Sequence, residues 1–248
     1  MRRRLTLDRS QVFEGPLVLV NPSHPIRREG LVELVPADPG YPRVLLERRT
    51  AGLLQACLQS IRARGAIVPV SGWRSRREQQ AIWDHTTRQE GEDFTRKYVA
   101  LPGCSEHQTG LAIDLGAAAE HIDFIRPDFP AEGVCGNFRR VAASYGFVQR
   151  YRRDKEALTS IAEEPWHFRY VGAPHARLME ENHLCLEEYG DFVRAKPRRC
   201  RMPDGKTATV TYLPCPGPAV ELEEPQGCYQ LSGDNDGGFF LTVWGNLL

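Results

Sequence analysis

Between residues 43 and 64 the apolar positions Leu53, Leu54, Cys57, Leu58 and Ile61 recur at i, i+1, i+4, i+5 and i+8, the spacing that gathers side chains on one face of a helix. The pattern predicts a core helix that stops near Gly65. The next run, Ala66 to Val70, is short and continuously apolar, as a buried strand is, and it leads into Ser71, Gly72, Trp73 and Arg74. Ser75 and Glu78 form an S-x-x-E capping box, so a second helix begins after Arg74 and carries Gln79, Ile82 and Trp83. Arg74 thereby falls at a strand-to-helix junction, where side chains often face a site; in an Arg-rich stretch it also reads as a solvated surface charge.

Leu111 to Leu115 reads as a strand with Leu111 and Ile113 on one face and Ala112 and Asp114 on the other. A carboxylate in so apolar a strand needs a partner. Phe138, Val141, Ala142 and Tyr145 return to helical spacing, stopped at Gly146, and Phe147 to Tyr151 is a further strand. Trp166, Phe168 and Tyr170 alternate with His167, Arg169 and Val171, so His167 projects opposite the aromatic side chains. Pro174 opens a helical stretch to about Arg194, divided near Leu186 or Gly190. Strands alternating with helices predict an α+β domain over residues 1–195. From Lys196 onward, prolines punctuate short β-like runs such as Ala208 to Leu213 and Phe239 to Trp244, which predicts a small β-rich appendage over 196–248. Asp234, Asn235, Asp236 and Gly237 are consecutive, whereas calcium-loop ligands alternate with spacers, so a tight turn is expected there.

Charge narrows the class of partner. Lys and Arg number 32 and Asp and Glu number 32, so no global positive field draws nucleic acid or an anionic membrane. A small-molecule or peptide substrate is expected instead. The start, MRRRLTLDRSQVFEGPLVLV, has its would-be apolar stretch interrupted by Asp8, Arg9 and Glu14; no signal peptide, no membrane span and a cytoplasmic location are expected. Seven cysteines without a C-x-x-C pair are most simply reduced thiols, the alternative being a disulfide or second metal among the four from Cys185 to Cys228. Nothing in the sequence sets the oligomeric state.

Of the seven histidines, two have company that suggests chemistry. His107 lies in S-E-H-Q-T-G-L-A-I-D, seven positions before Asp114, and a loop-then-strand path can bring the two side chains together. His167 follows Glu164 by three residues in E-P-W-H. Two imidazoles and a carboxylate make a three-ligand zinc set that leaves a position for water, and Glu164 is the candidate to take that water's proton. Positions three apart point oppositely in an extended strand, so the backbone must bend between Glu164 and His167, which Pro165 favours. Spacing alone leaves open that these histidines are structural, because the helical H-E-x-x-H signature is absent.

The stretches S-G-W-R-S-R-R-E-Q, P-G-C-S-E-H-Q-T-G-L-A-I-D and E-E-P-W-H-F-R-Y-V-G resemble, in order and spacing, the signature blocks of the zinc D-Ala-D-Ala carboxypeptidases and dipeptidases of VanY and VanXY type, within the superfamily of lysostaphin-type peptidases and the hedgehog domain. L-V-L-V-N-P-S-H-P-I near the start is similar too. The resemblance implies a small antiparallel sheet flanked by helices, one zinc ion on His107, Asp114 and His167, and Glu164 as the base. It also implies that Arg74 stabilises the oxyanion and that Gln79 and Ser105 contact the substrate's terminal D-Ala. The implied substrates are D-Ala-D-Ala and the ends of peptidoglycan precursor pentapeptides, whose removal deprives vancomycin of its target. An L,D-carboxypeptidase of wall recycling and a non-catalytic zinc-bearing module are the alternatives. Trp73 stands where the family commonly has Tyr, and Ser160 where it commonly has Gly.

Overall fold

The apolar faces read from the sequence meet on a four-stranded antiparallel sheet. In the computed structural model, which describes residues 3–28, 32–63 and 65–245, the strands are β1 (Arg4–Asp8), β2 (Leu34–Pro36), β3 (Leu45–Glu47), β4 (Ile67–Ser71), β5 (Ala112–Ala117), β6 (Phe147–Tyr151), β7 (Glu164–Tyr170), β8 (Arg198–Arg201), β9 (Thr207–Pro214), β10 (Ala219–Glu223), β11 (Cys228–Gly233) and β12 (Gly238–Gly245). The helices are α1 (Arg48–Ser60), α2 (Arg76–Glu90), α3 (Glu92–Tyr98), α4 (Gly133–Ala142), α5 (Glu156–Thr159), α6 (Ala173–Glu181) and α7 (Leu186–Ala195). The central sheet runs β4-β5-β7-β6. One of its faces sends Ile113, Leu115, Phe147, Trp166, Phe168 and Tyr170 into a core shared with Leu54, Cys57 and Leu58 of α1 and Phe138 of α4. The opposite face carries the buried polar side chains of Asp114, Arg150, His167 and Arg169.

The fold is the expected α+β arrangement, with local differences. The helix expected across 43–64 begins at Arg48, because Glu47 caps it, its carboxylate accepting from Arg49 N at 2.9 Å and Thr50 N at 2.8 Å; residues 45–47 go instead to β3. The helical stretch after Pro174 divides at residues 182–185, where His183 takes a left-handed conformation, so the break falls at the expected place near Leu186 and not at Gly190. Ser160 closes α5 at φ 60, a left-handed region that favours glycine, so the glycine that the resemblance implies at this position would fit the backbone better. The Asp234 segment is the expected turn: Asp234 Oδ1 accepts from the backbone of Asp236, Gly237 and Gly238 at 2.8 to 3.1 Å. All seven cysteines are free and five are buried.

The C-terminal strands form a second antiparallel sheet in the order β11-β12-β9-β8. The expected boundary at 195/196 cuts across a pair, since β1 bonds to β10 with Leu5 opposite Leu222 and Leu7 opposite Val220. Apolar contacts explain this pairing: Leu7 is buried with Val12, Cys215 and Phe239. A further core joins α6 and α7 to this sheet through Leu178, Tyr189, Val210 and Phe240.

At that junction His175 is fully buried, with Nδ1 2.7 Å from the Tyr189 hydroxyl and Nε2 3.0 Å from Thr242 Oγ1. Burial pushes its pKa from the ordinary 6.5 down to about 3. Between those values the unfolded chain binds the extra proton, so stability falls as pH drops, by up to about 1.4 kcal/mol per pH unit from this group. The variant His175→Gln is expected to flatten the acid side of the stability curve measured by urea unfolding; an unchanged slope would show that His175 does not stay neutral in the fold.

Candidate active site

Sheet register sets the heart of the site. Asp114 on β5 is paired directly with His167 on β7 on one side and with Ser71 on β4 on the other. Directly opposite positions in antiparallel strands share a face, so the Asp114 carboxylate and the His167 ring meet, with Nδ1 to Oδ1 at 3.0 Å. His107 arrives from the single 3-10 turn Glu106–Thr109 that precedes β5. Its Nε2 lies 3.2 Å from Asp114 Oδ2, and its ring stands edge-on to that of His167 at 4.9 Å. The His107 Nδ1 is 2.7 Å from the carbonyl of Gly72. A carbonyl only accepts, so Nδ1 holds the proton and Nε2 keeps its lone pair facing Asp114. Gly72 is required for this: a Cβ there would sit 2.2 Å from the Leu45 carbonyl.

One nitrogen each from His107 and His167 and one oxygen from Asp114 all lie within 4.8 Å of one another. Two ligands at tetrahedral angles on zinc stand roughly 3.3 Å apart, close to the 3.2 and 3.0 Å found here. His107 Nε2 and Asp114 Oδ1 are buried without a hydrogen-bond partner, a costly arrangement unless a cation takes both. The donor set and the unpartnered atoms fit a metal ion.

Glu164, at the start of β7, brings Oε2 to 3.4 Å from His167 Nδ1. The bend expected at Pro165 is present as a register break: Gln149 to Tyr151 on β6 spans Phe168 to Glu164 on β7, so three residues face five. Burial, with the Asp114 charge adding to it, pushes the Glu164 carboxyl up to about 8 against the opposing pull of His167 and Arg74. Burial disfavours a charged His167, but Asp114, 3.0 Å from its Nδ1, and the surrounding carboxylates outweigh it and hold the ring up at about 9. Burial, helped by the Arg74 charge, takes His107 down to about 4. Asp114 is held well below the usual carboxylate range because the two imidazoles outweigh its burial. A metal at this point competes with a proton for His167 Nδ1.

Arg74 follows β4 and enters the same cleft, its guanidinium 3.5 Å from Asp114 Oδ2 and its backbone N–H on the His107 carbonyl at 3.3 Å. The predicted capping box at Ser75 and Glu78 is formed and starts α2 immediately after it. Gln79, in the first turns of α2, is buried, its amide donating to the Ala100 carbonyl at 2.8 Å while Oε1 is unpartnered. Ser105 is buried beside it. Arg74, Gln79, Ser105, His107, Asp114, Glu164 and His167 all line one cleft, so the structure brings the seven site residues expected from the sequence to one place.

A family model described as VanY, D-alanyl-D-alanine carboxypeptidase, matches residues 43–173, more than half of the chain. The chain belongs to the VanY family. It is 37% identical over 185 residues to the bifunctional D-Ala-D-Ala dipeptidase and carboxypeptidase VanXYC of Enterococcus gallinarum, an alignment covering 74% of this chain and 97% of that one. It is similar over its length to the crystal structure of the vancomycin-resistance D,D-dipeptidase VanXYg in complex with a D-Ala-D-Ala phosphinate analogue, with TM-score 0.96, 48% identity and coverage of 99% and 100%. A VanY D,D-pentapeptidase variant from a VanB-type cassette, solved with Zn(II), matches at TM-score 0.59 and 32% identity over 71% of this chain and 99% of that one.

This VanY-family chain also holds residues around the site that were not picked out from the sequence. The Tyr151 ring lies 4.9 Å from the His167 ring at a tilt of 53°, and Phe124, about half exposed, and Ile125 line the cleft. Glu106 and Arg169 are fully buried next to the ligands. Arg169 had a visible signal, since it shares the His167 face of an apolar strand and, like Asp114, needs a partner there. His121 and His183 are exposed, and neither lines the cleft. Among the described residues no helix is long and apolar enough to cross a membrane.

Proposed function

We propose that this chain hydrolyses the peptide bond before a terminal D-alanine, acting on D-Ala-D-Ala, on peptidoglycan precursor pentapeptides, or on both, with one zinc ion held by His107 Nε2, Asp114 and His167 Nδ1. The observation that carries this reading is the placement of Glu164 and Arg74, a carboxyl pushed up to about 8 and a partly buried guanidinium, in the same cleft as the three-ligand cluster. A binding module without catalysis has no use for that pair.

When bound, zinc would supply Lewis acidity, bringing the pKa of a bound water from 15.7 toward roughly 7 and polarising the scissile carbonyl. Glu164 takes the proton of the attacking water and returns it to the departing amine of D-alanine, a transfer its position beside the ligand cluster allows. Arg74 offers donors to the developing oxyanion; its charge is kept in place by Asp114 at 3.5 Å. The free Oε1 of Gln79 and the Ser105 hydroxyl are placed to orient the terminal D-alanine.

Purified zinc-loaded protein is expected to release D-alanine from D-Ala-D-Ala or from a pentapeptide ending in it, and to leave a tetrapeptide stem intact. Activity confined to the tetrapeptide would make the chain an L,D-carboxypeptidase. Zinc uptake without hydrolysis of any of the three would make it a binding module.

A further inference from the structure

Glu106 neighbours His107 in sequence but turns away from it, toward the other imidazole. Its side chain is fully buried, and Oε2 lies 3.6 Å from His167 Nε2. Both atoms are buried, and neither has a hydrogen-bond partner among the described residues. One is an acceptor and the other, on a neutral ring, is a possible donor. Leaving each unpaired in the interior is costly, and the shortest remedy is a small approach of the two groups.

The other oxygen of Glu106 is firmly held. Oε1 accepts from Arg150 Nε at 2.7 Å and faces Arg169 Nη1 at 2.9 Å. Arg150 is anchored at its far end by Glu187 at the start of α7, with a pair of bonds of 2.9 and 2.6 Å. Arg169 is anchored by the carbonyls of Pro16 and Val18 at 2.9 and 3.0 Å. Two guanidiniums and two carboxylates thus balance in charge, and the cluster immobilises Glu106 while sparing one oxygen. A purely structural ion cluster would have no reason to leave that oxygen aimed at an imidazole.

Each histidine has one nitrogen turned toward Asp114 and the other toward an acceptor. For His107 the acceptor is the Gly72 carbonyl, on Nδ1. For His167 it is Glu106, on Nε2. We propose that Glu106 is the positioning residue of the metal centre, accepting the Nε2–H of His167 so that Nδ1 keeps its lone pair as the ligand, with Arg150 and Arg169 holding the carboxylate still. This rests on the reading that His107, Asp114 and His167 bind zinc. A carboxylate behind a ligating imidazole raises its basicity and fixes its tautomer, and losing such a partner weakens metal binding by about 10- to 100-fold.

The isosteric variant Glu106→Gln is expected to raise the zinc dissociation constant about 10- to 100-fold, measured by chelator competition, and to alter the visible spectrum of the cobalt-substituted protein. Glu187→Gln removes a carboxylate from the same Arg150 without touching His167. It is expected to lower the melting temperature yet keep the zinc dissociation constant and cobalt spectrum of the parent. Equal weakening in both variants, or an unchanged affinity and spectrum in Glu106→Gln, would overturn the proposal. Should Glu106→Gln fail to fold, nitrogen-15 spectra of the imidazoles in the zinc-loaded parent decide: His167 is expected to carry its proton on Nε2 and His107 on Nδ1, and the opposite tautomer at His167 would refute it. A parent chain that takes up no zinc would instead refute the metal reading beneath it.

Discussion

Glu164→Ala is expected to keep its zinc and lose hydrolysis. The carboxylate lies 3.4 Å from His167 Nδ1 yet belongs to no ion pair with Arg74 or any lysine among the described residues, so it is free to exchange protons. Burial keeps it at about 8, near the pH at which a proton must be both taken and returned. Removing a general acid–base group costs about 10²- to 10⁴-fold in kcat, and here one group serves both halves of the reaction, which places the loss toward the upper end. The variant should remain folded, because Glu164 is at the start of β7 beside the register break and not inside the apolar core. D-alanine release and zinc per chain, measured on the same sample, check it: unchanged turnover would mean that another group carries the proton, and lost zinc that Glu164 is a ligand.

His107→Ala is expected to abolish activity through the metal itself. Apparent zinc-binding free energies of about 10–16 kcal/mol over four ligands amount to roughly 3–4 kcal/mol per ligand. One imidazole fewer therefore weakens binding by about 10²- to 10³-fold. His121→Ala and His183→Ala, whose side chains are exposed and outside the cleft, should match the parent in zinc content and rate. Metal analysis of the three variants at equal free zinc separates ligands from bystanders. Full zinc occupancy in His107→Ala would remove it from the ligand set.

The local elements were legible because each rests on short-range chemistry. The strand delivering Ser71, the capping box at Ser75 and the turn at Asp234 are written in a few adjacent residues, and all three are present. The Pro165 bend was legible for the same reason: two roles three residues apart on a strand demand it. Glu47 was missed as a cap because its side chain stands in for the usual Ser, Thr, Asp or Asn. Glu106 was missed because its meaning is set by Arg150, Arg169 and His167, which lie 44, 63 and 61 positions away in the chain.

What the sequence determined by itself is the cast: which residues end up in the cleft, and on which kind of element each sits. Only the tertiary structure decided their orientation. Pairing Asp114 directly opposite His167 is a matter of register, and a slip of one residue would turn one of them to the apolar face. Which nitrogen faces Asp114, Nε2 on His107 and Nδ1 on His167, goes with what lies beyond each ring, the Gly72 carbonyl in one case and the Glu106 carboxylate in the other. The N-terminal strand likewise finds its partner more than 200 residues away because Leu7 needs Phe239 and Cys215 to leave water. Contacts of that kind depend on where chain segments meet in space, and no local pattern encodes them.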